Sequence, residues 1–243
     1  MNIPTEPFLL VVLLGTGVIA ISFALDILWA QVMPLRSLYY AIRAPGVIVH
    51  ECSHILGCII TGAKIKKIVF FSEEGGSVTY TSSKIPYVGD VVISTAPLVC
   101  IPIVLAGLTW VFSQYLGCVF PPMLIAVNSM DTLLGLVITI TILFTQNLVV
   151  RFNPWFIVYL YLTVTLVLSL APSAQDMKNA AIGMGIILIA GIMILLSSLP
   201  SLVSILESII RLIGIGFTFG LMFEIIALVI SSPLMIWYLY KHF

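Results

Sequence analysis

The chain has 243 residues, of which 61% are hydrophobic and 8% charged, with a formal net charge of zero; its mean hydropathy is +1.22. A soluble domain carries about 25% charged residues, so this composition excludes an ordinary water-soluble protein and marks an integral membrane protein whose first partner is the lipid bilayer. Without a basic tract or a net positive charge, nucleic acid is excluded as a partner. The four cysteines are scattered, three of them in apolar runs, and read as small buried hydrophobes rather than a disulfide framework.

Residues 8–30 form the first expected span, about the ~20 residues a helix needs to cross. No Lys or Arg precedes it, so it reads as a retained helix rather than a cleaved signal. Asp26, near its end, is expected to be solvated at the interface. A second span covers residues 39–61, with Arg43 and Pro45 in its first turns. Its second half carries His50-Glu51-Cys52-Ser53-His54, which reads H-E-x-x-H and contains two of the three histidines in the chain. Helical spacing puts His50 and His54 one above the other on one face, where two imidazoles can share one metal ion. Glu51 lies one position round the helix, near enough to act as general base on water at that ion. An acid and two imidazoles inside a membrane helix are costly, about 2.5–3.5 kcal/mol for the acid alone, which argues for a partner that uses them. Gly57 and Gly62 read as close helix packing and a helix stop.

Residues 63–87 are the one polar stretch of any length. Two short strands, 65–71 and 77–82, are expected around the turn Ser72-Glu73-Glu74-Gly75-Gly76. Such a β-hairpin at the membrane surface is either a covering loop or an edge that pairs with an unwound peptide. In the second case Val69, Phe70, Phe71, Ser77, Val78 and Thr79 are the substrate-binding candidates. Lys64, Lys66, Lys67 and Lys84 suggest that this loop is cytoplasmic.

A third span, residues 88–112, is expected to kink at Pro97 and Pro102. Residues 113–150 make a poor, polar-studded span that crosses, tilts or re-enters. Another span, residues 155–171, ends at Pro172-Ser173-Ala174-Gln175-Asp176. This break places Asp176 in the first turn of a helix running to residue 199. An acid at a broken membrane helix is typical of an intramembrane site; the alternative is an ordinary negative charge at a helix N-terminus. Residues 201–211 read as interfacial, with Glu207 and Arg211 four apart. Residues 212–240 read as the last span, flanked by Trp237, Tyr238 and Tyr240. Glu224 lies in its middle and is expected to pair inside the bundle. The fold expected is thus an all-α polytopic membrane protein: about six transmembrane helices and a small membrane-associated β-hairpin in a single domain. Its core is residues 39–199, its hairpin 64–83, and its peripheral helices 8–30 and 212–240.

A membrane helix bearing His50-Glu51-Cys52-Ser53-His54-Ile55-Leu56-Gly57, then Thr61-Gly62-Ala63-Lys64-Ile65, a basic hairpin and a proline-bearing span, resembles the site-2 proteases, the intramembrane zinc metalloproteases. The resemblance is best over residues 39–112. It implies a core of three helices, a zinc ion held by His50, His54 and an aspartate on a later helix, and Glu51 activating water to cleave a transmembrane protein or peptide substrate. Most of the family carry that aspartate in L-D-G or P-D-G; here Pro172-Ser173-Ala174-Gln175-Asp176 looks like the P-S-x-x-D variant of some prokaryotic relatives. This makes Asp176 the expected third ligand, with Asp131 as rival. The family's topology further requires residues 113–150 to cross an even number of times. The asparagine that the family often places before its aspartate is absent from the run before Asp176, Asn153 being more than twenty residues upstream. The alternative function is a metal-binding membrane transporter or a proteolytically inactive scaffold, with Asp26, Asp131, Asp176 and Glu224 lining an ion path. The expected location is the cell membrane.

Overall fold

The computed structural model describes residues 5–71, 76–81, 83–121, 130–197 and 199–242. In chain order these form α1 (Thr5–Val32), α2 (Arg36–Thr61), β1 (Ile65–Val69), β2 (Ser77–Tyr80), α3 (Val88–Tyr115), α4 (Met130–Phe144), a π-helical stretch (Thr145–Val150), α5 (Pro154–Leu168), α6 (Ala174–Leu196) and α7 (Pro200–His242). Among the described residues the fold is all-α apart from one two-stranded antiparallel hairpin. Five of the helices have membrane-spanning length and apolarity: Val11–Val32, Arg36–Thr61, Val88–Tyr115, Ala174–Leu196 and Pro200–Tyr240.

Several expectations are corrected. The strands are shorter than expected, so Phe70 and Phe71 leave the ladder and Phe71 is exposed. Residues 155–171 do not make a full span: α5 has 15 residues, roughly 22 Å at about 1.5 Å per residue, short of the ~30 Å hydrocarbon thickness. It stops because Pro172 cannot donate to the carbonyl four residues back. The expected interfacial segment and last span are one 43-residue helix, α7. Glu207 and Arg211 lie on the surface of this helix, and no proline stands between them and residue 212 to end it. Pro233 lies inside it, and the Ser232 hydroxyl donates to the Val229 carbonyl that the proline leaves free, at 2.7 Å.

The core sits where α5 meets its neighbours. Phe156 stacks on Tyr159, and Phe112 and Phe120 pack against the Tyr159 ring. The Tyr159 hydroxyl bonds Thr109 of α3 at 3.0 Å. Aromatic and branched side chains with their polar tips satisfied are what a buried helix junction without water requires. Helix α2 is joined to α5 at its proline: the Gly46 N–H, freed from the usual helical ladder, donates to Thr165 Oγ1 at 2.7 Å, and Tyr161 Oη donates to the Ile42 carbonyl at 3.3 Å. Asp26, expected to be solvated, is instead held between α1 and α2. Tyr39 Oη donates to it at 2.5 Å, and Arg43 Nε lies 3.2 Å away.

The described residues on either side of 122–129 meet at one end of α3. Asn147 exchanges two hydrogen bonds with the Val119 backbone at 2.7 and 2.8 Å, and Asn153 Nδ2 donates to the Leu116 carbonyl at 2.8 Å. Helix α5 therefore starts at the far end of α3 and runs back beside it, which returns the chain to the middle of the bundle just before α6 begins.

Candidate metal centre

His50, Glu51 and His54 stand on the same stretch of α2, each no more than 7% exposed. Asp176 reaches them from the first turn of α6. Together His50, His54 and Asp176 form a group whose donor atoms all lie within 4.8 Å of one another. His50 Nε2 and His54 Nε2 are 3.1 Å apart. The Asp176 oxygens lie 3.5 Å from His54 Nε2 and 3.8 Å from His50 Nε2.

The other nitrogen of each ring decides the chemistry. His50 Nδ1 lies 2.6 Å from the Ser169 carbonyl, and His54 Nδ1 lies 2.8 Å from the Ile93 carbonyl. A carbonyl oxygen only accepts, so both Nδ1 atoms carry a proton, and Nε2 is the nitrogen each ring has left to offer a metal ion. The two Nε2 atoms, 3.1 Å apart, converge beside the Asp176 carboxylate. The buried group can therefore hold a metal ion, and its Nδ1–H contacts are the outer bonds that orient metal-binding imidazoles.

Both accepting carbonyls are free for a reason written in the chain. An α-helical carbonyl at i is normally taken by the N–H at i+4. For Ile93 that position is Pro97, which has no N–H. The expected kink residue thus acts as the device that leaves the Ile93 carbonyl open to His54. Ser169 caps the C-terminus of α5, where the last carbonyls lack helical partners. Leu168 lies four residues before Pro172, and its carbonyl is contacted by Arg43 Nη2 at 3.5 Å. Gly57 lets α3 come close enough: a β-carbon there would stand 2.8 Å from Ile93 Cα.

Asp176 is aimed by its own helix start. Ser173 is the N-cap of α6 and forms a capping box with Asp176. The Ser173 N–H and hydroxyl donate to Asp176 Oδ2 at 2.9 and 2.6 Å, and Ser173 Oγ accepts from the Asp176 N–H at 3.1 Å. The helix-terminus role and the site role of this acid therefore coexist: capping locks the rotamer that faces the histidines.

Glu51 lies beside the group with its Oε2 buried and without a hydrogen-bond partner among the described residues. The hairpin comes down on it: a β-carbon at Gly76 would lie 2.6 Å from Glu51 Cγ and from Oε1. Any larger residue there would push the Glu51 side chain from its place. Ser77, Val78 and Thr79 follow directly on β2 and so run away from Glu51, while Val69 pairs with Ser77 one strand further out. Phe70 and Phe71 lie beyond the ladder. Asp26 and Glu224 do not join the group. Glu224 is fully buried in α7, and its two oxygens have no hydrogen-bond partner among the described residues. Asp131 begins α4, and its side chain lies outside the described residues. Asn153 caps α5 by accepting from the Trp155 N–H at 3.0 Å. No family model, curated protein or solved structure matches the chain.

Sequence reading named the three donors, the neighbouring acid and Ser173 as a helix cap, but missed Ile93 and Ser169 as supports of the histidines. A signal existed for Ile93, since Pro97 follows it by four residues. Ser169 had no such mark, because its role depends on where α5 docks.

Proposed function

We propose that this chain is an intramembrane zinc metallopeptidase of the site-2 protease type, resident in the cell membrane as a multi-pass protein, that cleaves peptide bonds of membrane-embedded substrates. The observation that carries the reading is the convergence of His50 Nε2 and His54 Nε2, 3.1 Å apart, on the Asp176 carboxylate, with the buried, unpartnered Oε2 of Glu51 alongside. A four-coordinate zinc with nitrogen ligands at about 2.0–2.1 Å sets its ligand atoms roughly 3.3 Å apart. The two Nε2 atoms are 3.1 Å apart, Asp176 Oδ1 lies 3.5 Å from His54 Nε2 and Oδ2 lies 3.8 Å from His50 Nε2, so these residues could close on such an ion with small side-chain shifts. Two imidazoles and one carboxylate also leave a coordination position open, as catalytic zinc requires.

His50, His54 and Asp176 would hold the ion. When bound, zinc supplies Lewis-acid chemistry, polarising a carbonyl and making water acidic near neutral pH. Glu51 takes a proton from the water as its oxygen attacks the peptide carbonyl carbon. It then delivers that proton to the departing nitrogen as the C–N bond breaks. The hairpin serves the substrate. A membrane helix hides its amides in its own ladder, so it must unwind before attack. The edge of β2 turned away from β1 has no strand partner among the described residues and offers replacement backbone bonds. The transporter alternative loses one of its path residues, because Asp26 is tied to Arg43 and Tyr39.

The test is zinc content and cleavage of a transmembrane reporter by detergent-purified protein. Glu51→Gln should retain about one zinc per chain and lose cleavage, whereas His50→Ala, His54→Ala and Asp176→Ala should lose both. Cleavage that survives Glu51→Gln, or zinc that survives His50→Ala and His54→Ala together, refutes the reading.

A further inference from the structure

Beside the metal centre lies a polar cavity of about 370 Å³, lined by Val78, Thr79, Tyr80, Asp90, Gln175 and Asn179. It is walled by β2, the first turn of α3 and the first turns of α6, and neither the three donor residues nor Glu51 line it. Asn179 stands one turn beyond Asp176 on α6. Gln175 Nε2 donates to Asn179 Oδ1 at 2.8 Å, and Asn179 Nδ2 donates to Tyr80 Oη at 3.4 Å. Burial pushes the Tyr80 phenol up from its ordinary value, so it remains a neutral hydroxyl. The carboxylate of Asp90 has no hydrogen-bond or ion-pair partner among the described residues. A half-buried acid at a helix N-terminus is stabilised by the helix dipole, but here it also faces a wall of hydroxyls and amides. That set accepts hydrogen bonds and carries one negative charge, which is the complement of an ammonium or guanidinium group.

The position of this cavity relative to the metal centre follows from β2. Its Gly76 end abuts Glu51, and its Tyr80 end abuts Asn179. Four residues of strand separate these ends, roughly 13 Å at about 3.3 Å per residue. A peptide lying along the free edge of β2 with its reacting carbonyl at Glu51 therefore passes the cavity two to four residues from the scissile bond. Alternation then turns every second side chain of that peptide toward α3 and α6.

We infer that this cavity is a specificity subsite that takes a basic side chain, Lys or Arg, of the substrate two to four residues from the cleaved bond, with Asp90 as its charge partner and Thr79, Tyr80, Gln175 and Asn179 as hydrogen-bonding walls. The inference rests on the peptidase reading for the identity of the ligand, and on the cavity alone for its charge. It also gives the enzyme a way to choose substrates at the membrane surface, where apolar segments end and basic residues collect.

The test uses the full chain in detergent with apolar twelve-residue fluorogenic peptides carrying Lys, Ala or Glu at each of positions two to four on either side of the scissile bond. At one position wild type should favour Lys over Ala by roughly tenfold to a hundredfold in kcat/KM, the scale of one charge-assisted hydrogen bond. Asp90→Asn should erase that ratio, Asp90→Lys should turn it toward Glu, and Asn179→Asp should enlarge it. Fluorescence anisotropy of the same peptides on Glu51→Gln reads binding without cleavage. Cleavage with a charge preference that Asp90→Asn and Asp90→Lys leave unmoved overturns the subsite while the peptidase reading stands. Absence of cleavage with Asp90-dependent binding of the Lys peptide supports the subsite and removes the peptidase reading. Absence of both overturns both.

Discussion

Replacing Pro97 by Ala should make the protein more heat-stable and at the same time weaken its hold on zinc. In the native chain the Ile93 carbonyl lacks its helical donor because residue 97 is proline, and His54 Nδ1–H takes the place at 2.8 Å. Alanine restores the N–H and lets the helix close its own ladder; proline in a helix interior costs about 3 kcal/mol relative to alanine, less where a neighbour already uses the freed group. The restored N–H then competes with the imidazole for one oxygen. Sharing that oxygen should cost His54 about 1 kcal/mol of its orienting bond, roughly fivefold in zinc affinity. Losing it outright approaches the ten- to hundredfold typical of an outer-shell partner. Zinc affinity is read by chelator competition and stability by thermal unfolding, both in detergent. Pro102→Ala is the control, because among the described residues no side chain donates to the Leu98 carbonyl it would recapture. The opposite signs make the prediction sharp, since a general loosening of the fold lowers both quantities. A rise in Tm with zinc affinity unchanged within twofold would refute the role given to Pro97.

Three further outcomes follow from the same geometry. Ser173→Ala removes the capping box that fixes Asp176. It should cost about 0.5–2 kcal/mol of stability and weaken zinc binding, with Ser173→Thr restoring most of both in the same two assays. Gly57→Val places side-chain atoms where even a β-carbon would stand 2.8 Å from Ile93 Cα. The resulting separation of α2 from α3 should lower stability by about 1–3 kcal/mol and reduce zinc occupancy, measured by unfolding and metal analysis. Asp26→Asn and Arg43→Gln should each destabilise by about 1–3 kcal/mol, since each leaves a largely buried charge without its partner. The double variant should cost less than the sum, which a double-mutant cycle reads directly.

Composition and spacing alone determined that the chain is an all-α membrane protein and that His50, Glu51 and His54 share one helix. Residues four apart on a helix are neighbours wherever that helix goes, so this half of the centre is a local property. Pro172 and Ser173 likewise marked where α6 begins and put Asp176 in its first turn. What the sequence left open was everything that depends on helices meeting. Asp176 and Asp131 were rivals because both are acids at apolar helices. The approach of Asp176 to the histidines depends on α5 returning alongside α3, which Asn147 and Asn153 fasten at the far end. The pairing of Asp26 with Arg43, the use of the Ile93 and Ser169 carbonyls, and the descent of Gly76 onto Glu51 join residues from 17 to 119 positions apart. Helical periodicity carries no information at that range. In a chain that is apolar on nearly every face, hydrophobic pattern does not say which faces meet, and close packing, freed carbonyls and ion pairs decide it instead.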